Sequence, residues 1–142
     1  MSATGLKVFD TTIQTTNIWL DDIMEELGWD DRHRALHALR AVLHTLRDHL
    51  VVDEVAQLSA QLPLLVRGIF FEGWHPAHKP VRERTRDEFV AHVSESFALD
   101  WSGTHPRDIT MSVLAVLEKH VSGGESLSLK FVLPAGIREL LV

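Results

Sequence analysis

Several residue types are missing from this chain of 142 residues, and each absence excludes a kind of structure or chemistry. There is no cysteine, so the chain has neither a disulfide nor a thiolate metal ligand. Tyrosine is absent too, and valine and isoleucine are scattered without a sustained period of two, which disfavours β-strands. A chain of this length can bury a sizeable core without covalent staples.

Long apolar runs and basic charge are lacking as well. The longest apolar clusters, LPLLV and GIFF, are separated by Arg67 and are far shorter than a membrane span. The first ten residues contain no apolar core of a secretory signal. A net charge of −6 disfavours a nucleic-acid partner, because phosphates repel it. We therefore expect a cytoplasmic domain with neither a membrane nor a nucleic-acid partner; the lack of cysteine suits that compartment.

Apolar residues recur at spacings of three and four, which predicts helices throughout. The first helix is expected from Thr12 to Leu27, with Ile13 in its apolar stripe and Gly28 just after its end. Asp30 or Asp31 is expected to cap the second helix, which has the most regular apolar stripe: Leu36, Leu39, Leu43, Leu46 and Leu50.

Asp53 is expected to cap a third helix, which Pro63 should end, because proline within a helix removes a hydrogen bond and clashes with the preceding turn. A short fourth helix should then bury Leu65, Val66, Ile69 and Phe70.

The Pro-rich stretch WHPAHKPV predicts a linker between two halves. After it, Thr85 and Glu88 are spaced as a capping box, Pro106 suits a first helical turn, and Ser122 with Glu125 forms a second box.

The two halves share three anchors in the same order, which predicts an internal duplication. Trp29 aligns with Trp101, Ala41-Val42-Leu43 with Ala115-Val116-Leu117, and Leu62-Pro63 with Leu133-Pro134. A unit this small cannot bury its apolar faces alone, so the copies should pack on each other. The expected fold is all-α, a helical bundle of two pseudo-repeated units in a single domain, residues 1–142. The units would span about 10–73 and 83–142, with a linker at 74–82.

The same segments carry a family resemblance. RAVLHTLRDHL, AQLPLLVRGIFFEGW and the closing LPAGIREL resemble a family of small bacterial proteins known as domain of unknown function 2267. The resemblance covers roughly Phe9 to Leu141, and AQLPLLVRGIFFEGW is its most specific part. It implies an all-helical cytosolic bacterial domain and brings no catalytic residue with it.

Histidines form the first group of candidate site residues. His33 and His37 are one turn apart on the second helix and could hold a metal ion with a third ligand from the linker, His75 or His78. No HExxH motif accompanies them. The alternative is that His33, His37 and His44, with Arg40 and Arg47, form a solvated, weakly basic face.

Two arginines and a group of aromatic residues are the other candidates. Arg67 and Arg138 each lie four residues after a Leu-Pro proline, and either ties its helix to a neighbouring helix end or recognises a ligand. Trp19, Phe70, Phe71 and Trp74 either anchor an interface or seal the seam between the halves. Acidic residues crowd the first helix and could meet a basic face of a partner: Asp21, Asp22, Glu25 and Glu26.

No nucleophile elbow, phosphate loop or dinucleotide fingerprint occurs in the sequence. We therefore expect a non-enzymatic module without a cofactor, which self-associates or binds a protein partner near Trp74. The alternative is a small-molecule or metal-binding domain that uses the histidines of the second helix and the linker.

Overall fold

The computed structural model describes residues 2–78, 85–96, 103–121 and 133–141. Within these ranges all regular structure is helical, which confirms the all-α prediction. The α-helices are α1 (Lys7–Leu27), α2 (Arg32–Asp48), α3 (Val52–Ser59), α4 (Leu64–Phe71), α5 (Arg86–Ser96), α6 (Pro106–Val121) and α7 (Ala135–Arg138). Short 3-10 helices occupy Pro76–His78 and Glu139–Leu141.

Helix α1 is longer than predicted. It begins at Lys7, five residues before the expected start, and Gly28 ends it in the left-handed conformation with φ of 66°. That conformation is unfavourable for residues with a Cβ, which accounts for glycine here. Only its C-terminal part packs in the core, through Thr16, Trp19, Leu20 and Ile23, whereas Ile13 is 42% exposed.

Helix α2 is the central element of the bundle. The carboxylate of Asp31 caps its start by accepting a hydrogen bond from the Arg34 N–H at 3.2 Å. The helix contacts α1, α4, α5 and α6, so it is covered on most sides. The predicted apolar stripe of α2 packs in the core. Leu36 is partly buried at the edge of the core, and the other residues of the stripe are fully buried: Leu39, Leu43, Leu46 and Leu50.

Helices α3 and α4 are separated at Pro63, as the sequence predicts. The residue has φ of −57° and ψ of 152°, an extended conformation that stops α3 and precedes α4. The predicted cap of α3 is wrong by two residues: Val51 precedes the helix, and its N–H donates to the Glu54 carboxylate at 3.1 Å. Leu65, expected inward, is 42% exposed, because α4 turns Val66, Ile69 and Phe70 to the core.

The second half begins with the predicted capping box. The Glu88 N–H donates to the Thr85 hydroxyl at 3.2 Å, and the Thr85 N–H donates to the Glu88 carboxylate at 3.1 Å. Helix α6 starts at Pro106, as expected, and packs against α1, α2 and α5. The predicted box of Ser122 and Glu125 lies outside the described residues, and so does the Trp101 anchor.

The two Leu-Pro pairs have matching local structure. Leu62 and Leu133 are both buried, and Pro134 has φ of −53° and ψ of 149°, close to the values at Pro63. Ala115 is exposed, unlike Ala41. No helix in the described ranges has the length and apolar character needed to cross a membrane.

Candidate functional site

Arg67 links α4 to the end of α3. Its Nε donates to the Ser59 carbonyl at 2.9 Å, and its Nη2 donates to the Leu62 carbonyl at 3.0 Å. Carbonyls at a helix C-terminus lack intrahelical partners and carry the negative end of the helix dipole, so a guanidinium stabilises them. The half-buried Arg67 therefore stabilises the packing of α4 against the end of α3.

The C-terminal end of α4 is held in turn by one face of α2. Arg47, only 5% exposed, donates from Nη1 to the carbonyls of Phe70, at 3.0 Å, and Glu72. One turn earlier, His44 Nε2 lies 2.7 Å from the Ile69 carbonyl, and Arg40 Nε donates to the Glu72 carboxylate at 3.0 Å. The interpretation of this face as solvated is therefore wrong for its C-terminal half, which packs against a helix end.

The protonation of His44 follows from this position. Burial lowers its pKa below the ordinary value of 6.5, and the charge of Arg47 acts in the same direction. The Ile69 carbonyl and the Glu72 carboxylate oppose the shift without reversing it. The ring is therefore neutral near pH 7, with the proton on Nε2, since only an N–H can bond to a carbonyl oxygen.

Arg138 repeats part of the Arg67 arrangement. Its Nη2 donates to the Leu133 carbonyl at 3.0 Å, five residues back in the chain, just as Arg67 bonds to Leu62. Arg138 is exposed, whereas Arg67 is half-buried and has the additional Ser59 contact.

The structure divides the four candidate aromatic residues into two pairs. Trp19 and Phe70 are fully buried, so the interface-anchor alternative does not hold for them: neither has a surface to offer. Trp19 stacks on the His120 ring at 4.9 Å and connects α1 to α6. Phe71 and Trp74 are half-buried and pack on each other with ring centroids 5.5 Å apart.

A groove of about 780 Å³ runs between the N-terminal half of α1 and the outer face of α4. Apolar side chains dominate its walls, with Phe9 and Ile13 on α1 and Leu64 and Leu65 on α4. These four are 42–49% exposed, so they are accessible to a ligand. Further lining residues are Thr4, Thr12, Thr16, Asn17, Leu20, Leu36, Arg40, Gly68, Ile69 and Glu72. The wall of α4 is tied to α1 by the Leu65 N–H, which donates to the Thr12 hydroxyl at 2.9 Å.

Phe9 and Ile13 continue the buried face of α1 beyond the core. At about 100° per residue they lie on the same side of the helix as Thr16 and Leu20, which are buried one and two turns later. An amphipathic helix normally covers such a stripe with another element. Here the stripe leaves the core and is only half covered by α4.

Gly68 lies in the α4 wall of this groove. A Cβ added to it would meet no atom within 4 Å, and its φ is not positive. Glycine in the interior of a helix costs about 0.5–1 kcal/mol relative to alanine. Neither packing within the described chain nor backbone conformation requires it here.

Most of the chain matches a known protein family. The sequence model of one family, described as "Uncharacterized conserved protein (DUF2267)", matches residues 16–140. The chain belongs to this family. No curated protein matches it. The matched range includes α2 to α4 and their arginine contacts, whereas the N-terminal half of α1 precedes it.

The acidic residues of this DUF2267 protein are partly engaged within the chain. Asp21 pairs with Arg32 at 2.6 Å. The Asp22 carboxylate accepts from Lys119 at 3.1 Å and lies 2.8 Å from His120 Nε2. Burial alone would raise the pKa of Asp22, but the bonds to His120 and Lys119 outweigh it and hold the pKa below 3.8. These contacts connect α1 to α6.

The Asp22 contacts predict a loss of stability in acid. A carboxylate whose pKa is lower in the folded state stabilises the fold above its unfolded pKa, and the stabilisation is lost as pH falls through the folded value. We expect Asp22→Asn to cost at most about 1 kcal/mol at pH 6, because the pair is partly solvated. The difference from wild type should shrink below about pH 4. Urea unfolding at both pH values measures it, and a difference independent of pH would contradict the prediction.

Three of the four predicted metal-binding histidines have described side chains. His33, His37 and His75 are exposed. In the part of the chain that the structure describes, no group of three histidine, aspartate or glutamate side chains is placed to hold a metal ion. The side chain of His78 and the rest of the linker, residues 79–84, lie outside the described residues.

The groove is the feature that the sequence did not reveal. Ile13 and Leu65 match the periodicity of core residues and were expected inward. One signal was available: residues 11–20, TTIQTTNIWL, contain no charged side chain, although 24% of the chain is charged. Ten consecutive uncharged residues in a helix of an acidic protein are unusual for a face in water.

Proposed function

We propose that this DUF2267 protein is a non-catalytic protein-interaction module whose groove between α1 and α4 holds an apolar helical surface of a protein partner. The observation that carries the proposal is the exposed apolar stripe of Phe9 and Ile13 beside Leu64 and Leu65. Helices commonly bind in such grooves through apolar side chains one turn apart.

The fixation of α4 supports this function. Arg67 contacts the α3 end from within α4, and Arg40, His44 and Arg47 hold the α4 C-terminal end. The outer residues of α4 are thus presented by a helix whose position is set independently of them. A wall that is ordered before binding loses less conformational entropy when a partner docks.

The proposal extends to the architecture and setting of the module. The matching Leu-Pro geometry, with Arg67 and Arg138 at the same offset, supports two pseudo-repeated units packed on each other within one domain. Its cysteine-free composition is in keeping with a cytoplasmic setting, and the resemblance of its motifs to a bacterial family favours a bacterial one.

Photocrosslinking tests the groove as the binding surface. We expect p-benzoylphenylalanine at position 65 to give a discrete protein adduct in intact cells of the native host. The same group at position 18 should give none, because Ile18 is more exposed than Leu65 but does not line the groove. The readout is adduct mass on a denaturing gel and by mass spectrometry.

Two results would count against this function. Equal labelling from positions 65 and 18 would show that the groove is not preferred, and no adduct from either would leave it without a protein occupant.

The groove volume of about 780 Å³ also falls in the range of small-molecule sites, which favours an apolar ligand as the second candidate for what binds there. A bound small molecule in native mass spectra of protein from the host would support that candidate.

A further inference from the structure

The groove has few charged side chains for a protein with a net charge of −6. Its α1 wall has no ionisable side chain between Asp10 and Asp21, and the one charged residue within α4, Arg67, bonds to the α3 end. At its edge, Arg40 and Glu72 neutralise each other at 3.0 Å. Two copies of a protein with net charge −6 repel one another, except where such a neutral face meets itself.

We propose that the occupant of the groove is a second copy of this chain, in a two-fold symmetric dimer. This proposal rests on the proposed function and names its partner. The N-terminal half of α1 of each copy would lie in the groove of the other, so that Phe9 and Ile13 pack against Leu64, Leu65 and Gly68. A two-fold axis places the same patch on both sides, which requires that the patch be complementary to itself.

The apolar area fits a dimer of ordinary size. Phe9, Ile13, Leu64 and Leu65, which line the groove, are each 42–49% exposed. At roughly 200 Å² for a large side chain, they offer roughly 350 Å² of apolar surface per copy. A standard interface buries about 800 Å² per partner, of which a little over half is non-polar. These four side chains supply most of that non-polar share.

The shape of the patch is also self-complementary. Phe9 and Ile13, one turn apart, form a ridge on α1, whereas Gly68 leaves a notch in α4 where a Cβ would meet nothing. Ridges of one helix pack into the grooves of another, and a glycine allows the closest approach. A partner's α1 in contact with Gly68 would account for a residue that the described fold does not require.

Sedimentation equilibrium of the full chain tests the proposal with a matched pair of variants. We expect wild type to approach twice its mass of 16.0 kDa at micromolar concentration. Ile13→Lys should raise the dimer Kd at least 100-fold, and Ile18→Lys should leave it within threefold of wild type. Both side chains are exposed isoleucines on α1, and only Ile13 lines the groove. Circular dichroism of the variants checks that each keeps its helix content.

Gly68→Ala separates self-association from folding. In the monomer the added methyl group meets no atom, and alanine favours a helix, so the urea midpoint should rise slightly in the Ile13→Lys background. The same change in the otherwise wild-type chain should raise the dimer Kd at least tenfold. A Kd unchanged by Gly68→Ala would overturn the packing of α1 on Gly68.

The outcomes distinguish this proposal from the more general one. A wild-type chain that stays at 16.0 kDa up to 100 µM or more overturns the dimer. If position 65 then crosslinks to a different protein, the interaction function stands and only the identity of the partner is wrong. If purified protein dimerises but Ile13→Lys and Ile18→Lys weaken it equally, another surface forms the dimer.

Discussion

Replacing Arg47 by methionine should lower the free energy of unfolding by about 2–3 kcal/mol. The guanidinium is buried and donates to the carbonyls of Phe70 and Glu72, which close the end of α4. Methionine preserves most of the volume but leaves the two carbonyls without their donor, and each unsatisfied buried group costs about 1–3 kcal/mol. The change also removes the ion pair of Arg47 with the Asp48 carboxylate at 3.0 Å, whereas the desolvation cost of the buried guanidinium is relieved.

Arg40→Met is the matched control for that experiment. Arg40 lies on the same face of α2 and contacts the same turn, but it is more than a third exposed and bonds to a side chain, Glu72. Its loss should cost less than about 1 kcal/mol, as for other solvated ion pairs. Urea unfolding of both variants gives the comparison. Equal effects would mean that burial of the carbonyl contacts is not what holds α4.

The second large effect is expected at the paired phenylalanines. Phe70→Ala should cost about 3–5 kcal/mol, the range for removal of a buried ring, and Phe71→Ala only about 1–2 kcal/mol, since Phe71 is half-buried. Against a total stability of about 5–15 kcal/mol, the first loss is severe. Thermal and urea unfolding measure both. A larger loss at Phe71 would contradict the assignment of Phe70 to the core.

Sequence periodicity was sufficient to predict that the chain is helical and which face of α2 is buried. The leucines of α2 recur over four turns and lie on one continuous face. The residues that begin and end helices were equally informative. Gly28, Pro63 and the Thr85–Glu88 capping box act through local backbone geometry, which the residues themselves determine. These features need no knowledge of the rest of the fold.

Tertiary arrangement was what the sequence could not supply. Ile13 and Leu65 have the spacing of core residues, and only the position of α4 beside α1 shows that they line an open groove. The basic face of α2 was likewise ambiguous: Arg40 and Arg47 are both arginines, so the sequence does not show which of them is buried. In the folded chain Arg47 is 5% exposed, whereas the Arg40 side chain is 37% exposed.

The contacts that fix α4 have a consequence for protein engineering. Arg47 and Arg67 bond to main-chain carbonyls, which every residue possesses, so these anchors do not depend on which side chains α4 carries outward. Positions 64, 65 and 68 can therefore be randomised without weakening the anchors. In this respect the bundle offers a ready-made scaffold on which new binding specificities can be selected.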